Sequence, residues 1–450
     1  MELWEESKEC RDAMRLGNTH FNLYYDRYKK YDRMKVEMLK SGYVGVKEIL
    51  CVLSNVSRAI NYGAKGINIP LNDSVFSGNV QKISFSRFRV LLNKMRDDGY
   101  INIHIGGVSW KTDGGKVLSC ITFNEKIYEL FKGFDVTKSV DDKHCFNAIE
   151  IKDRVTKKIK SNKGFRGIAE LRKYIDEMNC VLSGTVIQLN DCVLPTQVYK
   201  RVFIDTLDKG GRIYNASGGV QTMSQEDRKE LLINGEEVVE LDFKALHPSI
   251  LYELQYQRDC TLIDEWLSDN KGYDPYNVDN DVIQVDEKKV QWFKETYNKP
   301  NYNPLRNMIK HIVLVGINSN GIRSCYTQLA QEIYADMQLW DDVDCREDSK
   351  FYGIVVDKRF PALAACEMVL THNYPIATSF FSDQGVNLQF VDSEIMSYIV
   401  VALTLEGEAC LPVHDSVIVR KSLEERVTLL MREAYKAVLG SDLFCNIEAK

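Results

Sequence analysis

The sequence predicts an α+β protein of several domains, in which short antiparallel strands pack beside amphipathic helices. Apolar and β-branched residues from Val238 to Phe243 are typical of a buried strand, and helical spacing follows from Ala245 to Gln255. Between Cys410 and Arg420, two apolar runs flank a tight polar turn, as in a β-hairpin. With 450 residues, the chain is long enough for about two to four domains.

The composition is that of a soluble globular chain, with 44% hydrophobic and 27% charged residues. A net charge of −6 gives no overall attraction to nucleic acid, so such binding depends on local basic patches. Twelve cysteines without a CxxC pair argue against a zinc ribbon or a disulfide framework and favour a reducing, cytoplasmic location. There is no signal-peptide pattern, and the apolar run Ile395–Leu405 is too short to span a bilayer, so no membrane association is expected.

The N-terminal third predicts two units. Residues 1–41 are rich in Tyr, Arg and Lys and predict a helical arm. Residues 42–135 predict a helix at 44–60, a second helix at 86–98, and a strand pair at 100–105 and 117–123 around a glycine-flanked basic tip. This order is similar to a winged helix-turn-helix, in which the second helix lies against a DNA duplex. The candidate DNA contacts are Arg87, Arg89, Lys94 and Lys111. The alternative is a winged helix that docks protein.

Residues 136–195 predict a helical linker, ending in one or two strands between Leu182 and Leu194. Its basic run from Lys157 to Arg166 is either a solvated face or a track for a phosphate backbone. Residues 196–450 form the last predicted domain. Within it we expect a strand at 351–356, and we interpret the aspartates at 274, 279 and 281 as solvated surface because their spacing does not match a calcium loop.

Two carboxylates end apolar strands in this last domain. An Asn234-Gly235 turn leads into the strand that ends at Asp242, and Asp415 lies at the tip of the 410–420 hairpin. By itself, Asp242 is equally compatible with a helix cap. If the strands are neighbours, the two acids converge and require a divalent cation, for which carboxylate oxygens suit Mg²⁺.

A pair of cations completes the pattern. Arg306 and Lys310 are four residues apart and share one helical face, which is either an exposed basic surface or a site for a triphosphate. Together with a pair of metal ions held by the two carboxylates, such a face describes nucleotidyl transfer.

Five segments in this order resemble family A DNA polymerases and the related single-subunit phage-type RNA polymerases. They are GGRIY at 210–214 with Gln221, LDFKALHPS at 241–249, RNMIKHIVLVGIN at 306–318, LQFVDSEI at 388–395 and LPVHDS at 411–416. The resemblance covers roughly residues 195–450. It implies a right-hand polymerase with an antiparallel β palm and helical fingers and thumb, the thumb-like part falling in 136–195.

The resemblance also implies a role for each matching residue. Asp242 and Asp415 would be catalytic and, with Phe243, would bind two Mg²⁺ ions or Mn²⁺ in their place. The nucleotide-binding residues would be Arg306, Lys310, His247, Leu314 and Asn318. The contacts to the primer and template would be Arg212, Gln221, His414 and Gln389.

Departures from the family pattern bear on the substrate. His247 stands where the DNA polymerases have Glu and the RNA polymerases have Gly; Asn318 replaces a Tyr, and Ser416 follows Asp415 as in the RNA polymerases. A bulky side chain at 247 would act as a steric gate that excludes a 2′-hydroxyl. We therefore expect a compact DNA polymerase without proofreading, of a kind suited to a phage or plasmid. The alternatives are an RNA polymerase or primase, and a DNA-binding regulator without activity.

Overall fold

The computed structural model describes residues 19–20, 31–61, 65–69, 71, 76, 82–105, 119–134, 147–162, 164–190, 192–194, 196–216, 219–270, 273–341, 346–356 and 359–450. The prediction of a mixed α+β protein is confirmed, because helices and three small sheets both contribute to the buried core. The described residues form two apolar clusters, one between Tyr31 and Phe131 and one between Ala148 and Cys445.

The described part of the N-terminal cluster includes four helices with defined bounds and a small sheet. The helices are α1 (Asp32–Lys40), α2 (Val46–Asn61), α3 (Phe85–Asp97) and α4 (Glu125–Leu130). The strands are β1 (Thr19–His20), β2 (Gly66–Asn68), β3 (Ile101–His104) and β4 (Cys120–Phe123). They pair in the order β1-β2-β4-β3, antiparallel except for β1 and β2. The predicted helices at 44–60 and 86–98 are therefore present, and Ser84 caps α3 by accepting a hydrogen bond from the Arg87 amide.

Two N-terminal predictions have a different outcome. Residues 19–20 lie in a strand, whereas the sequence predicted a helix for the whole arm, and in the described part helix begins only at Asp32. The basic tip of the predicted strand pair, including Lys111, lies outside the described residues.

The largest sheet carries the candidate chemistry. Its strands are β6 (Ile187–Leu189), β7 (Cys192–Val193), β10 (Leu231–Ile233), β11 (Glu236–Phe243), β12 (Leu411–Val413), β13 (Ser416–Arg420) and β14 (Ile447–Ala449). The order is β12-β13-β11-β10-β6-β7, and β14 pairs with the end of β11. Asn234 and Gly235, with φ of 53° and 82°, form the predicted turn between β10 and β11. Asp242 is opposite Ser416 on one side and Glu448 on the other.

A second sheet brings a glycine pair against a long helix. It consists of β5 (Ile149–Lys152), β8 (Tyr199–Ile204) and β9 (Thr206–Asn215). Gly210 and Gly211 have φ of 71° and 77°, which favours glycine, and a Cβ on Gly211 would lie 2.7 Å from Ser393 Oγ. The glycines thus allow β9 to approach the helix that carries Ser393.

The remaining helices pack with the seven-stranded and the three-stranded sheets. They are α5 (Ile168–Ser183), α6 (Gln225–Lys229), α7 (Leu246–Arg258), α8 (Cys260–Asp269), α9 (Glu287–Thr296), α10 (Pro304–Asn318), α11 (Ile322–Trp340), α12 (Ala362–His372), α13 (Gly385–Leu405) and α14 (Glu424–Leu439). In the described part of the chain, α13 is the one helix long and apolar enough to cross a membrane, and 44% of its apolar window is buried. The apolar run considered in the sequence was thus only half of a longer helix.

Two local predictions after the N-terminal region were wrong. Residues 153–160 form a turn rather than helix, and Lys160 pairs with Asp153 at 3.1 Å and with Asp205 at 2.6 Å. Residues 351–356 form turns with a single bridge between Val285 and Ile354 instead of a strand. The aspartates at 279 and 281 are exposed, as predicted, and Asp274 is partly exposed but also contacts a cation in the cleft described next.

Candidate active site

A cleft of about 720 Å³ collects residues from all five segments that the sequence singled out. Of the residues predicted to bind metal, nucleotide, primer or template, eleven line it: Arg212, Asp242, Phe243, His247, Arg306, Lys310, Leu314, Asn318, Gln389, His414 and Asp415. They come from β9, β11, α7, α10, α13 and the turn between β12 and β13. Segments up to about 200 residues apart in the sequence therefore meet at one place.

The carboxylate wall is built by backbone pairing. Asp242 is the second-last residue of β11, Asp415 lies in the turn before β13, and the Phe243 amide donates to the Asp415 carbonyl at 3.3 Å. Burial and the negative charge of Asp415 raise the pKa of Asp242 to about 6. The Lys450 ammonium, 2.9 Å from Asp242 Oδ2, opposes that shift. The two acids are thus close enough to repel each other, as the sequence predicted for neighbouring strands.

These residues fit a magnesium ion that takes its other ligands from substrate and water. Among the described residues, no group of three or more His, Cys, Asp or Glu side chains is arranged to hold a metal. Mg²⁺ is commonly held by one or two carboxylates plus phosphate oxygens and waters, so Asp242 and Asp415 are a sufficient protein share. The Phe243 ring is buried near Tyr435, so this residue can offer only its backbone.

The cationic wall is one face of α10. Asn303 caps this helix, and the next residues along one face are Arg306, Lys310, Leu314 and Asn318, spaced by four. Arg306 donates to Asp274 at 2.9 Å and lies 5.5 Å from the Tyr276 ring. Lys310 is exposed and has no ion-pair partner among the described residues. One cation is therefore already engaged and the other is open to a ligand.

A third wall contains an ion pair that the sequence did not predict. Arg212 donates from Nε and Nη2 to Asp392 Oδ2 at 2.8 and 2.5 Å. The same Nη2 lies 3.2 Å from His247 Nε2. Asp392 is fully buried, and His247 is close to it at 3.5 Å. His247, the residue predicted as a steric gate, thus contacts the ion pair formed by Arg212 and Asp392.

The predicted primer and template residues separate into two groups. Arg212, Gln389 and His414 line the cleft, and burial together with the charge of Arg212 lowers the pKa of His414. Gln221 does not line it. Its amide accepts from the Asn215 amide at 2.7 Å and donates to the carbonyls of Ile213 and Pro412 at 3.0 and 2.8 Å. Gln221 therefore ties β9 to β12 beside the site.

The predicted DNA contacts on α3 also differ among themselves. Arg87 and Arg89 are exposed on its outer face. Lys94 is engaged within the protein, 3.0 Å from Asp98 and 4.7 Å from the centre of the Tyr43 ring. Two of the three described candidates thus remain available to a ligand.

Sequence reasoning missed several lining residues. Tyr273, Asp274 and Tyr276 come from the polar region between α8 and α9, where an aromatic-Asp-Pro-aromatic run was the available signal. Asn446 and Glu448 line the cleft next to β11, and their period of two along the chain is the mark of a strand.

Comparisons with known proteins add little to this geometry. No family model and no curated protein matches the chain. Among solved structures, the polymerase domain of Pol1 from M. smegmatis, in complex with DNA primer-template and dNTP, is 13% identical, with 100% of this chain and 69% of that chain covered and a TM-score of 0.30. A TM-score in this range does not establish a common fold, so the assignment of function rests on the cleft itself.

Proposed function

We propose that this protein is a template-directed nucleotidyltransferase, and more specifically a compact DNA polymerase without proofreading. The observation that carries the proposal is a single cleft with two repelling carboxylates, one near the end of β11 and one in the turn before the adjacent β13, and two cations on one face of α10. This combination suits a substrate that brings both a polyphosphate and a metal ion.

Each wall has a distinct role in the proposed reaction. Asp242 and Asp415 would hold Mg²⁺, and the bound ion would supply activation of the primer hydroxyl and stabilisation of the leaving pyrophosphate. Arg306 and Lys310 bind the triphosphate oxygens and offset their negative charge. Leu314 and Asn318, further along α10, would face the base and sugar. Arg212, Gln389 and His414, which also line the cleft, would contact the primer and template.

The choice of sugar depends on His247. Its imidazole lines the cleft, and a side chain of that size leaves less room for a 2′-hydroxyl than Gly would. This supports deoxynucleotides as substrates. RNA synthesis is the alternative outcome of the same assay.

The exposed arginines of α3, in the N-terminal unit, support a role for this unit in binding duplex DNA. Arg87 and Arg89 project from α3, which packs through its apolar face onto the core and presents the opposite face to solvent. Two exposed guanidinium groups on one helix, of which Arg89 also lies 5.7 Å from the Phe85 ring, are suited to phosphate or base contacts. A protein-docking role would leave DNA affinity unchanged when both are replaced.

Extension of a labelled primer on a DNA template with Mg²⁺ tests the proposal. We expect deoxynucleotide incorporation by the wild type and a loss of at least about 1,000-fold in Asp242→Asn and Asp415→Asn, because each removes a charge that holds the metal. Asp281→Asn, an exposed aspartate outside the cleft, is the matched control and should retain activity. Absence of incorporation by the wild type, or activity in both carboxamide variants, would contradict the proposal.

A further inference from the structure

A buried ion pair lies directly behind the proposed steric gate. Asp392 has no exposed surface, and its Oδ2 receives both hydrogen bonds from Arg212. Its Oδ1 is also buried and has no hydrogen-bond partner among the described residues. A buried carboxylate with one oxygen unsatisfied is costly, which calls for a functional reason.

The hydrogen bond from Arg212 defines the state of the His247 ring. A guanidinium group can only donate, so the 3.2 Å contact requires a lone pair on His247 Nε2 and a proton on Nδ1. The Arg212 contact thus fixes the orientation of the His247 ring from one edge.

Three separate elements deliver this arrangement. Gly211 permits the close approach of β9 to α13, and the next residue on β9 is Arg212, which therefore reaches Asp392. His247 is the second residue of α7, immediately after the strand that carries Asp242. The gate, the arginine and the aspartate are thus fixed by packing between elements rather than by a single loop.

We propose that Arg212 and Asp392 are positioning residues for His247 and thereby set the discrimination between deoxyribonucleotides and ribonucleotides. A histidine ring that can rotate about its side-chain bonds opens space for a 2′-hydroxyl, whereas a ring held at Nε2 does not. This inference rests on the proposed polymerase function.

The neighbouring ion pair offers a matched control. Arg201, on β8, donates to Glu394 at 2.5 Å, and Glu394 is two residues from Asp392 on the same helix. This pair does not line the cleft and does not contact His247. Glu394→Gln therefore removes an ion pair between the same sheet and α13, through the neighbouring strand β8, without affecting a contact of His247.

The experiment measures kcat/KM for one deoxynucleotide and for the matching ribonucleotide. The ratio of interest is kcat/KM for the deoxynucleotide divided by kcat/KM for the ribonucleotide. We expect Asp392→Asn to lower this ratio by about 10- to 100-fold, and Glu394→Gln to leave it unchanged. In a His247→Gly background, Asp392→Asn should have no further effect on the ratio, because the residue it positions is gone. An unchanged ratio in Asp392→Asn, or an additional fall in the His247→Gly background, would overturn the inference.

Two further measurements distinguish a loss of positioning from a folding defect in Asp392→Asn. Arg212→Lys keeps a cation beside Asp392 but loses the planar fork, and it should also lower the ratio. In the wild type, ¹⁵N-histidine spectra should show His247 neutral and protonated at Nδ1, with the signal assigned from its loss in His247→Gly. A charged or Nε2-protonated ring would refute the positioning role. Failure of the proposed function is distinct, because then the wild type incorporates neither nucleotide.

Discussion

The two facing walls of the cleft are built in opposite ways. Asp242 lies in the middle of a sheet, paired on one side with Ser416 and on the other with Glu448, and is only 9% exposed. Arg306 lies on a helix face, with 47% of its side chain exposed, and is held by one ion pair. The carboxylate wall is therefore fixed by backbone hydrogen bonds, and the cationic wall by side-chain contacts that can change partners.

The two walls therefore differ in the free energy that they cost the folded protein and in how easily their side chains change partners. Holding Asp242 beside Asp415 in a half-enclosed site costs free energy in the absence of a cation, as its raised pKa indicates. Exposed cations carry little such cost, because water screens them. We therefore expect the carboxylate wall to determine the chemical step and metal binding, and the cationic wall to determine nucleotide affinity.

The largest effect should be on stability without metal. The folded-state pKa of Asp242, about 6, lies above its ordinary 3.8, so the folded protein loses stability as pH rises from about 4 to 6. Asp242→Asn cannot ionise. It should therefore be more stable than the wild type above pH 6 by on the order of 3 kcal/mol, and equal to it near pH 4. Urea denaturation in EDTA across this pH range measures the difference.

Two controls sharpen this result. Asp205→Asn should have the opposite sign, because hydrogen bonds from Lys160 and from the Arg154 amide lower the pKa of Asp205. Added Mg²⁺ should stabilise the wild type and leave Asp242→Asn unchanged, since the metal binds the folded state through the ionised carboxylate. A wild type that is more stable than Asp242→Asn at pH 8 in EDTA would show that the carboxylate wall is not electrostatically unfavourable.

The sequence predicted the parts of the site that depend on local patterns. β11, its Asn234-Gly235 turn and the 410–420 hairpin follow from turn chemistry and apolar alternation, and α10 from its helical spacing. The meeting of Asp242 and Asp415 required only that two predicted strands be neighbours.

The parts that were missed depend on distant partners. Arg212 and Asp392 are 180 positions apart, and nothing in either local segment reveals the other. The apolar run at 351–356 looks like a strand, but a strand needs a partner, and only a single bridge to Val285 forms there. The contact between Asp274 and Arg306 was also missed, because it arises from tertiary packing and not from a local pattern.

The second prediction distinguishes the two cations. Lys310→Ala should raise KM for the nucleotide by about 10-fold with a smaller change in kcat, because an open ammonium loses a charge-assisted contact with the triphosphate. Arg306→Ala should raise it less, since this guanidinium gives up its contact with Asp274 when it binds substrate. Steady-state kinetics of both variants test the order, and equal effects would show that the Asp274 contact does not compete.

The smallest effect, and the most direct probe of the cationic wall, concerns Asp274 itself. Asp274→Asn removes the carboxylate that occupies Arg306 and should lower KM by about two- to threefold, in line with the small free energy of an exposed ion pair. Asp279→Asn makes the same charge change at an exposed position outside the cleft and should leave KM unaltered. Raising the salt concentration should erase the benefit of Asp274→Asn, because screening weakens the competing pair in the wild type. A higher KM in Asp274→Asn would mean that this carboxylate orients Arg306 toward the substrate, so that the cationic wall too would be preorganised.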